Sequence, residues 1–176
     1  FELNFAGADS KYSLVESGAT NLRFELANTP GVNAASVATT LEGGNDYTVV
    51  FAGSVLQNAA TATVYADRYF PTSATKAQIR FVNATSGVGA VDTVVNKVAS
   101  ITNIAQNTAS KYIEIDAGTA SFAIAERGSS NAFLSFPVVV NPQTDASTIP
   151  IAAGAGYTIF AMGQKGFTRG VIVRDN

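Results

Sequence analysis

Apolar and polar residues alternate along this chain in steps of two. Leu22, Phe24 and Leu26 take turns with Asn21, Arg23 and Glu25, the period of a strand with one buried face. Ile79 and Phe81 alternate in the same way between Lys76 and Ala84. The segments YTVVFAG (Tyr47 to Gly53) and YTIFAMG (Tyr157 to Gly163) are β-branched and aromatic, and each ends in glycine. SFAIA (Ser121 to Ala125), FLSFPVVV (Phe133 to Val140) and VDTVVN (Val91 to Asn96) add further predicted strands. Turn chemistry separates them at Ser17-Gly18, Pro30-Gly31, Gly43 to Asp46, Ala117-Gly118 and Gly128 to Asn131. Ser54 to Tyr65 lacks Gly and Pro, but its Thr/Ala alternation from Thr61 onward favours a hairpin arm over a helix. Thr102 to Lys111 is a candidate for a short helical turn. Short strands at this spacing predict an all-β chain built as a sandwich of antiparallel sheets.

The pattern is written twice. Lys11-Tyr12 and Gly18 return 100 residues later as Lys111-Tyr112 and Gly118. Leu41, Gly44 and Tyr47-Thr48 return 110 residues later as Ile151, Gly154 and Tyr157-Thr158. VYADR (Val64 to Arg68) is answered by VIVRDN (Val171 to Asn176). Matches in one order imply a tandem duplication. Pro71 and the Thr/Ser cluster around it place the boundary near Arg68 to Lys76, giving a first unit over 1–70 and a second over 76–176. The first copy is shorter, since QIRFVNATSGVGAVDTVVN (Gln78 to Asn96) has no clear counterpart before Lys11.

Phe1, Leu3 and Phe5 alternate with Glu2 and Asn4, so the opening pentapeptide is itself a competent strand. Three readings stand open. Residues upstream of Phe1 complete the first unit; or that unit is a shorter sandwich opened by Phe1 to Phe5; or it receives a strand from another molecule, with Phe1, Leu3 and Phe5 as a candidate assembly strand.

Composition narrows the function. Hydrophobic residues make up 47% and charged residues 14%, which argues against disorder. Small polar residues stand where Lys and Glu usually keep a surface soluble, which fits either faces turned toward neighbouring subunits or, the favoured reading, the Thr/Ser/Asn-rich surface common in secreted β proteins. The net charge of −2, with Lys and Arg scattered singly, gives no basic stripe for nucleic acid. An unbroken apolar run of roughly 18 residues, as a membrane helix needs, is missing. Cys, His and Trp are absent, which removes disulfides, thiolate and imidazole metal sites, and Ser-His or Cys-His nucleophile pairs. The chain starts on Phe1, which fits a trimmed, exported product.

The remaining chemistry reads as structural. Glu114 and Asp116 lie two apart on one predicted strand, roughly 7 Å by strand rise, but they alternate with Ile113 and Ile115 and read as a solvated face. Asp67 and Asp175 read as exposed acids at strand ends. Glu42 to Asp46 holds oxygen ligands that calcium would want, yet a tight glycine hairpin explains it. Ala152 to Gly156 lacks the lysine and helix of a phosphate loop. Asn83-Ala84-Thr85 has the form of a glycosylation sequon and reads as a strand end. Tyr47 and Tyr157 are expected to bury their rings and tether their hydroxyls to main chain. Phe133, Phe136 and Phe167 fall near turns and are the candidates for exposed contacts.

RFVNATSG (Arg80 to Gly87), KYIEIDAGTASFAI (Lys111 to Ile124) and AAGAGYTIFAMG (Ala152 to Gly163), ahead of VIVRDN, resemble domain-of-unknown-function family 4397 of exported bacterial proteins. The first unit matches its later parts, as KYSLVESG, GGNDYTVVFAG and VYADR. The resemblance implies two tandem immunoglobulin-like antiparallel β-sandwiches on an exported or cell-surface protein. The family has no established catalytic residues to carry over.

Together these readings predict a non-enzymatic extracellular or cell-surface structural module, with no catalytic, cofactor or metal residues. It would act through protein–protein contacts, as a filament or matrix subunit assembled by strand donation. An adhesin domain that binds cell-wall polymer or another polysaccharide is the alternative.

Overall fold

The computed structural model describes residues 12–68, 73–129, 132–135 and 148–175. Phe1, Leu3, Phe5 and Phe136 lie outside them. The described residues form strands joined by turns, with no helix among them. Among the described residues, fifteen strands follow in chain order. The first repeat holds β1 (Gly18–Leu26), β2 (Thr29–Leu41), β3 (Tyr47–Ala52) and β4 (Thr61–Ala66). The second opens with β5 (Lys76–Ser86), β6 (Val91–Val95), β7 (Val98–Ile104), β8 (Thr108–Ala109) and β9 (Ile113–Asp116). It continues through β10 (Gly118–Ala120), β11 (Phe122–Glu126), β12 (Ala132–Ser135), β13 (Ile149–Ile151), β14 (Gly156–Gln164) and β15 (Phe167–Arg174).

In the second repeat one sheet has the order β15-β14-β5-β8, with β9 also on β5, and faces a sheet ordered β12-β11-β6-β7. Ile79, Phe81, Ile159 and Ile172 from the first sheet meet Val91, Val95, Phe122 and Ile124 from the second in one buried core. The rings of Phe81 and Phe122 meet edge to face, 6.0 Å between centroids, a geometry aromatic quadrupoles favour. The chain is thus an all-β sandwich, with one departure from purely antiparallel pairing: β5 and β14 run parallel, Gly156 opposite Gln78 through Gln164 opposite Ser86. A parallel neighbour requires a long crossover, which the rest of the repeat supplies by passing through the opposite sheet.

Among its described residues the first repeat contains two hairpins, β1-β2 and β3-β4. They repeat the second in detail. Gly18 stands opposite Leu41 as Gly118 stands opposite Ile151, and β3-β4 corresponds to β14-β15. The turn glycines Gly44 and Gly154 share a left-handed φ of 77° and 75°, which only glycine adopts without strain.

The alternation of β5 understates its burial. Besides Ile79 and Phe81, its outward residues Arg80, Val82 and Ala84 are buried. The reason is tertiary: Val50 and Ala52 of β3 pack on Val82, Ala84, Phe160 and Val171, so the first repeat covers the outer face of the second repeat's sheet. Thr61 does open a hairpin arm, while the helical turn expected within Thr102 to Lys111 is a strand end, a turn and β8. Asn83 is a core residue in mid-strand rather than a strand end: its Nδ2 donates to the carbonyls of Gly89 and Ile104, 3.0 and 3.1 Å away.

Candidate interaction site at the junction of the repeats

The twin tyrosines occupy matching slots. The hydroxyl of Tyr47 accepts the backbone N–H of Glu42 at 2.9 Å, and that of Tyr157 accepts the N–H of Ala152 at 3.0 Å, each five residues upstream. Each ring therefore closes the turn before its own strand.

A second pair of matched clusters lies where the repeats meet. Asp67, just past β4, accepts the Tyr12 hydroxyl at 2.9 Å and the Thr48 hydroxyl at 2.8 Å. Asp175, just past β15, accepts the Tyr112 hydroxyl at 2.8 Å and the Thr158 hydroxyl at 2.7 Å. Even the backbone agrees: the N–H of Asp67 donates to Asp46 and that of Asp175 to Gly156, both at 2.9 Å. Asp67 and Asp175 are not the exposed acids that strand-end positions suggest. The Asp67 side chain and the whole of Asp175 are fully buried, because each strand end is tucked against the facing repeat.

Arg80 joins the two clusters. Its Nε donates to Thr158 Oγ1 at 2.8 Å, Nη1 to the carbonyl of Ala66 at 2.9 Å, and Nη2 to Thr48 Oγ1 at 3.4 Å and to Asp67 Oδ1. The guanidinium also lies 5.0 Å from the ring centre of Tyr112 and 5.9 Å from that of Tyr65, within cation–π range. One planar fork thereby serves both repeats, which a lysine could not do. Burial, aided by Asp67 and Asp175 respectively, pushes the Tyr12 and Tyr112 hydroxyls far above the ordinary tyrosine range. They are donors that keep their protons. Burial also raises the Asp175 carboxyl, against the hydrogen bonds of Thr158 and Tyr112. The arrangement holds charges in place.

The clusters are alike but not equally charged. Asp67 has its guanidinium partner, whereas the ion pairs among the described residues leave Asp175 out. The repeats also differ in completeness. Phe122, Ile124, Ile159 and Ala161 are at most 4% exposed, but the residues in the same slots of the first repeat, Leu22, Phe24, Val49 and Phe51, are only half-buried. Phe24 and Phe51 stack on each other at 5.0 Å. The difference follows from the sheets: β14 is flanked by β15 and β5, while β3 pairs, among the described residues, with β4 alone.

The other sequence candidates are placed as follows. Phe167 opens β15 and is 71% exposed. The backbone of Phe133 lies in β12, and its side chain is outside the described set. Glu114 and Asp116 are exposed, with Ile113 and Ile115 turned partly inward. Glu42 engages Arg68 at 2.8 Å and Asn45 at 2.9 Å in a glycine turn. Among the described residues there is no group of three or more Asp or Glu suited to a metal, and no helix long and apolar enough to cross a membrane.

The junction itself escapes a strand-by-strand reading, which takes Asp67 and Asp175 as solvated. Its signal is in the duplication. Tyr12, Thr48 and Asp67 recur as Tyr112, Thr158 and Asp175.

Comparison with known proteins gives one family. The family described as a domain of unknown function (DUF4397) matches the chain twice, over residues 3–94 and 77–176. Both matches include 77–94, the stretch that carries most of β5 and the start of β6. No curated protein matches the chain.

Proposed function

Since the chain belongs to the family described as a domain of unknown function (DUF4397), we propose that it is a non-enzymatic structural module of the cell exterior that works by joining protein to protein. The observation that carries this reading is that β3, among the described residues, pairs with β4 alone, whereas its twin β14 is hydrogen-bonded on both edges. An open edge offers a row of N–H and C=O groups for another strand. The half-exposed residues Leu22, Phe24, Val49 and Phe51 offer apolar surface beside it. Burying such surface stabilises an interface by about 25 cal/mol per Å². The low share of charged residues, 14%, reduces the repulsion and desolvation that oppose packing between copies.

Light scattering coupled to size-exclusion chromatography, over a hundredfold range of protein concentration, tests the reading. Mass should rise with concentration, and electron microscopy of the concentrated sample should show ordered assemblies. A strictly monomeric protein across that range, with no fibres, would end it.

A further inference from the structure

A cleft of about 420 Å³ opens where the two sheets of the second repeat face each other, with β7 on one side and β8 and β9 on the other. Its floor is apolar: Ile101, Ile104 and Ile113 belong to the core of the repeat or pack against it. Its rim is polar, with Thr102, Asn103 and Lys111. A bulge sets Lys111 there. Between the pairs Val82–Ala109 and Ile79–Ile113, Arg80 and Phe81 of β5 face Ser110, Lys111 and Tyr112, one residue too many. Ser110 mends the ladder, since its N–H donates to the carbonyl of Phe81 at 2.8 Å and its hydroxyl accepts the N–H of Phe81 at 2.9 Å. Bulges of this kind re-aim side chains. Tyr112 turns to the junction of the repeats, its hydroxyl on Asp175, while Lys111 lines the cleft. Among the described residues, no ion pair holds the Lys111 ammonium and no hydrogen bond holds the side chains of Thr102 and Asn103. Asp92 alternates with the buried Val91 and Thr93, so it bonds the backbone of Asn103 from the outer face of its sheet. The lining of the cleft thus holds one cation and no carboxylate.

We propose that this cleft binds a small organic acid with a short apolar body. The carboxylate takes hydrogen bonds from the Lys111 ammonium, the Thr102 hydroxyl and the Asn103 amide, and the apolar body lies on Ile101, Ile104 and Ile113. An ammonium only donates and a carboxylate only accepts, and hydrogen bonds between charged partners are the strong ones. The floor sets the rest of the ligand. An inorganic anion would leave the isoleucines facing water, whereas an alkyl body continues the core that they already belong to. The volume lies at the lower end of the range for small-molecule pockets, about 300–1,000 Å³, which suits one short ligand. A charge turned inward on an edge strand also deters pairing with foreign sheets, but that role needs Lys111 alone and not the free donors beside it. The inference stands apart from the assembly reading, which involves other strands.

The test is a heteronuclear NMR titration of the intact, isotope-labelled chain with four probes: hexanoate, acetate, hexanamide and hexylammonium. Hexanoate should give saturable shifts confined to the backbone of Thr102–Ile104 and Thr108–Ile113. Acetate, which lacks the apolar body, and hexanamide, which lacks the charge, should each bind about tenfold more weakly or worse. Hexylammonium, with the charge reversed, should not bind. Lys111→Met, an exposed position whose variant should keep the native melting transition, should lose about tenfold for hexanoate and nothing for hexanamide. Lys111→Arg should restore hexanoate binding. Absence of saturable shifts at the cleft overturns the site, as does equal binding of hexanoate to wild type and Lys111→Met. Acetate binding as well as hexanoate would show that the isoleucine floor plays no part and would also overturn it. A blocked pentapeptide with one central glutamate, if it shifted the same residues and bound more tightly than hexanoate, would assign the cleft to protein and overturn the small-acid reading.

Discussion

Arg80 is paired with Asp67, a residue thirteen positions earlier and in the other repeat. Both side chains are almost wholly removed from solvent. This pair makes the two repeats one packed unit, because the strand that carries Arg80 is covered on its outer face by the hairpin that leads to Asp67.

Removing the guanidinium should therefore cost more than a surface charge does. Arg80→Met leaves Asp67 buried without a cation, a change worth about 3–5 kcal/mol in comparable sites. Arg80→Lys should recover only part of this, since a single ammonium cannot reach Thr158, Ala66 and Asp67 together. Chemical denaturation of the three proteins measures both losses, and limited proteolysis should cut the first repeat of the Met variant before the second.

The twin tyrosines separate two environments for one hydrogen bond. Tyr157→Phe removes a part-buried hydrogen bond, between the buried Tyr157 and the N–H of Ala152, and should cost about 1 kcal/mol. Tyr47→Phe releases the N–H of Glu42 to water in an exposed turn and should cost less than half of that. Thermal melts of the two variants side by side give the ordering, and equal losses would contradict the difference in burial.

Asp175 gives stability an unusual dependence on pH. Its carboxyl is raised, chiefly by burial. A carboxyl raised in the folded state contributes stability in full below its unfolded pKa, about 3.9, and loses it as pH rises through the raised value. Relative to wild type, Asp175→Asn should therefore gain stability as pH climbs from about 4 through the raised pKa of Asp175. Urea midpoints of both proteins across that range check the sign; parallel curves would mean that Asp175 titrates normally.

At Gly53 the backbone leaves no room for a side chain. Its φ is +96°, and a Cβ there would sit 2.0 Å from the carbonyl oxygen of Ala59. Gly53→Ala should destabilise the β3-β4 hairpin by at least ~2 kcal/mol, combining backbone strain with the clash. Since this hairpin covers β5, the loss should appear in global unfolding rather than as local fraying alone. Hydrogen exchange on β5 would show it.

Much of the fold is legible because strands leave a simple signature. The alternation through Leu22, Phe24 and Leu26 marks β1, and the YTVVFAG and YTIFAMG segments mark β3 and β14. The tethered hydroxyls of Tyr47 and Tyr157 follow from their place at the start of a sandwich strand. The site was harder to read. Asp67 and Asp175 stand at strand ends, where local pattern favours solvent, and only contact between repeats buries them. Arg80 looks like an outward residue of an alternating strand, and it is outward with respect to its own core. It is buried because a second surface closes over it.

The sequence by itself determined the strands, the duplication and the tyrosine tethers, since each depends on side-chain period and turn chemistry within a few tens of residues. The tertiary structure alone decided the parallel partnership of β5 and β14, the face on which the repeats meet, and the union of the two Asp-Thr-Tyr clusters through one arginine. Those features join residues whose separation along the chain carries no periodic signal. They arise when apolar faces such as Val50 and Val82 find each other and carry their polar neighbours out of water.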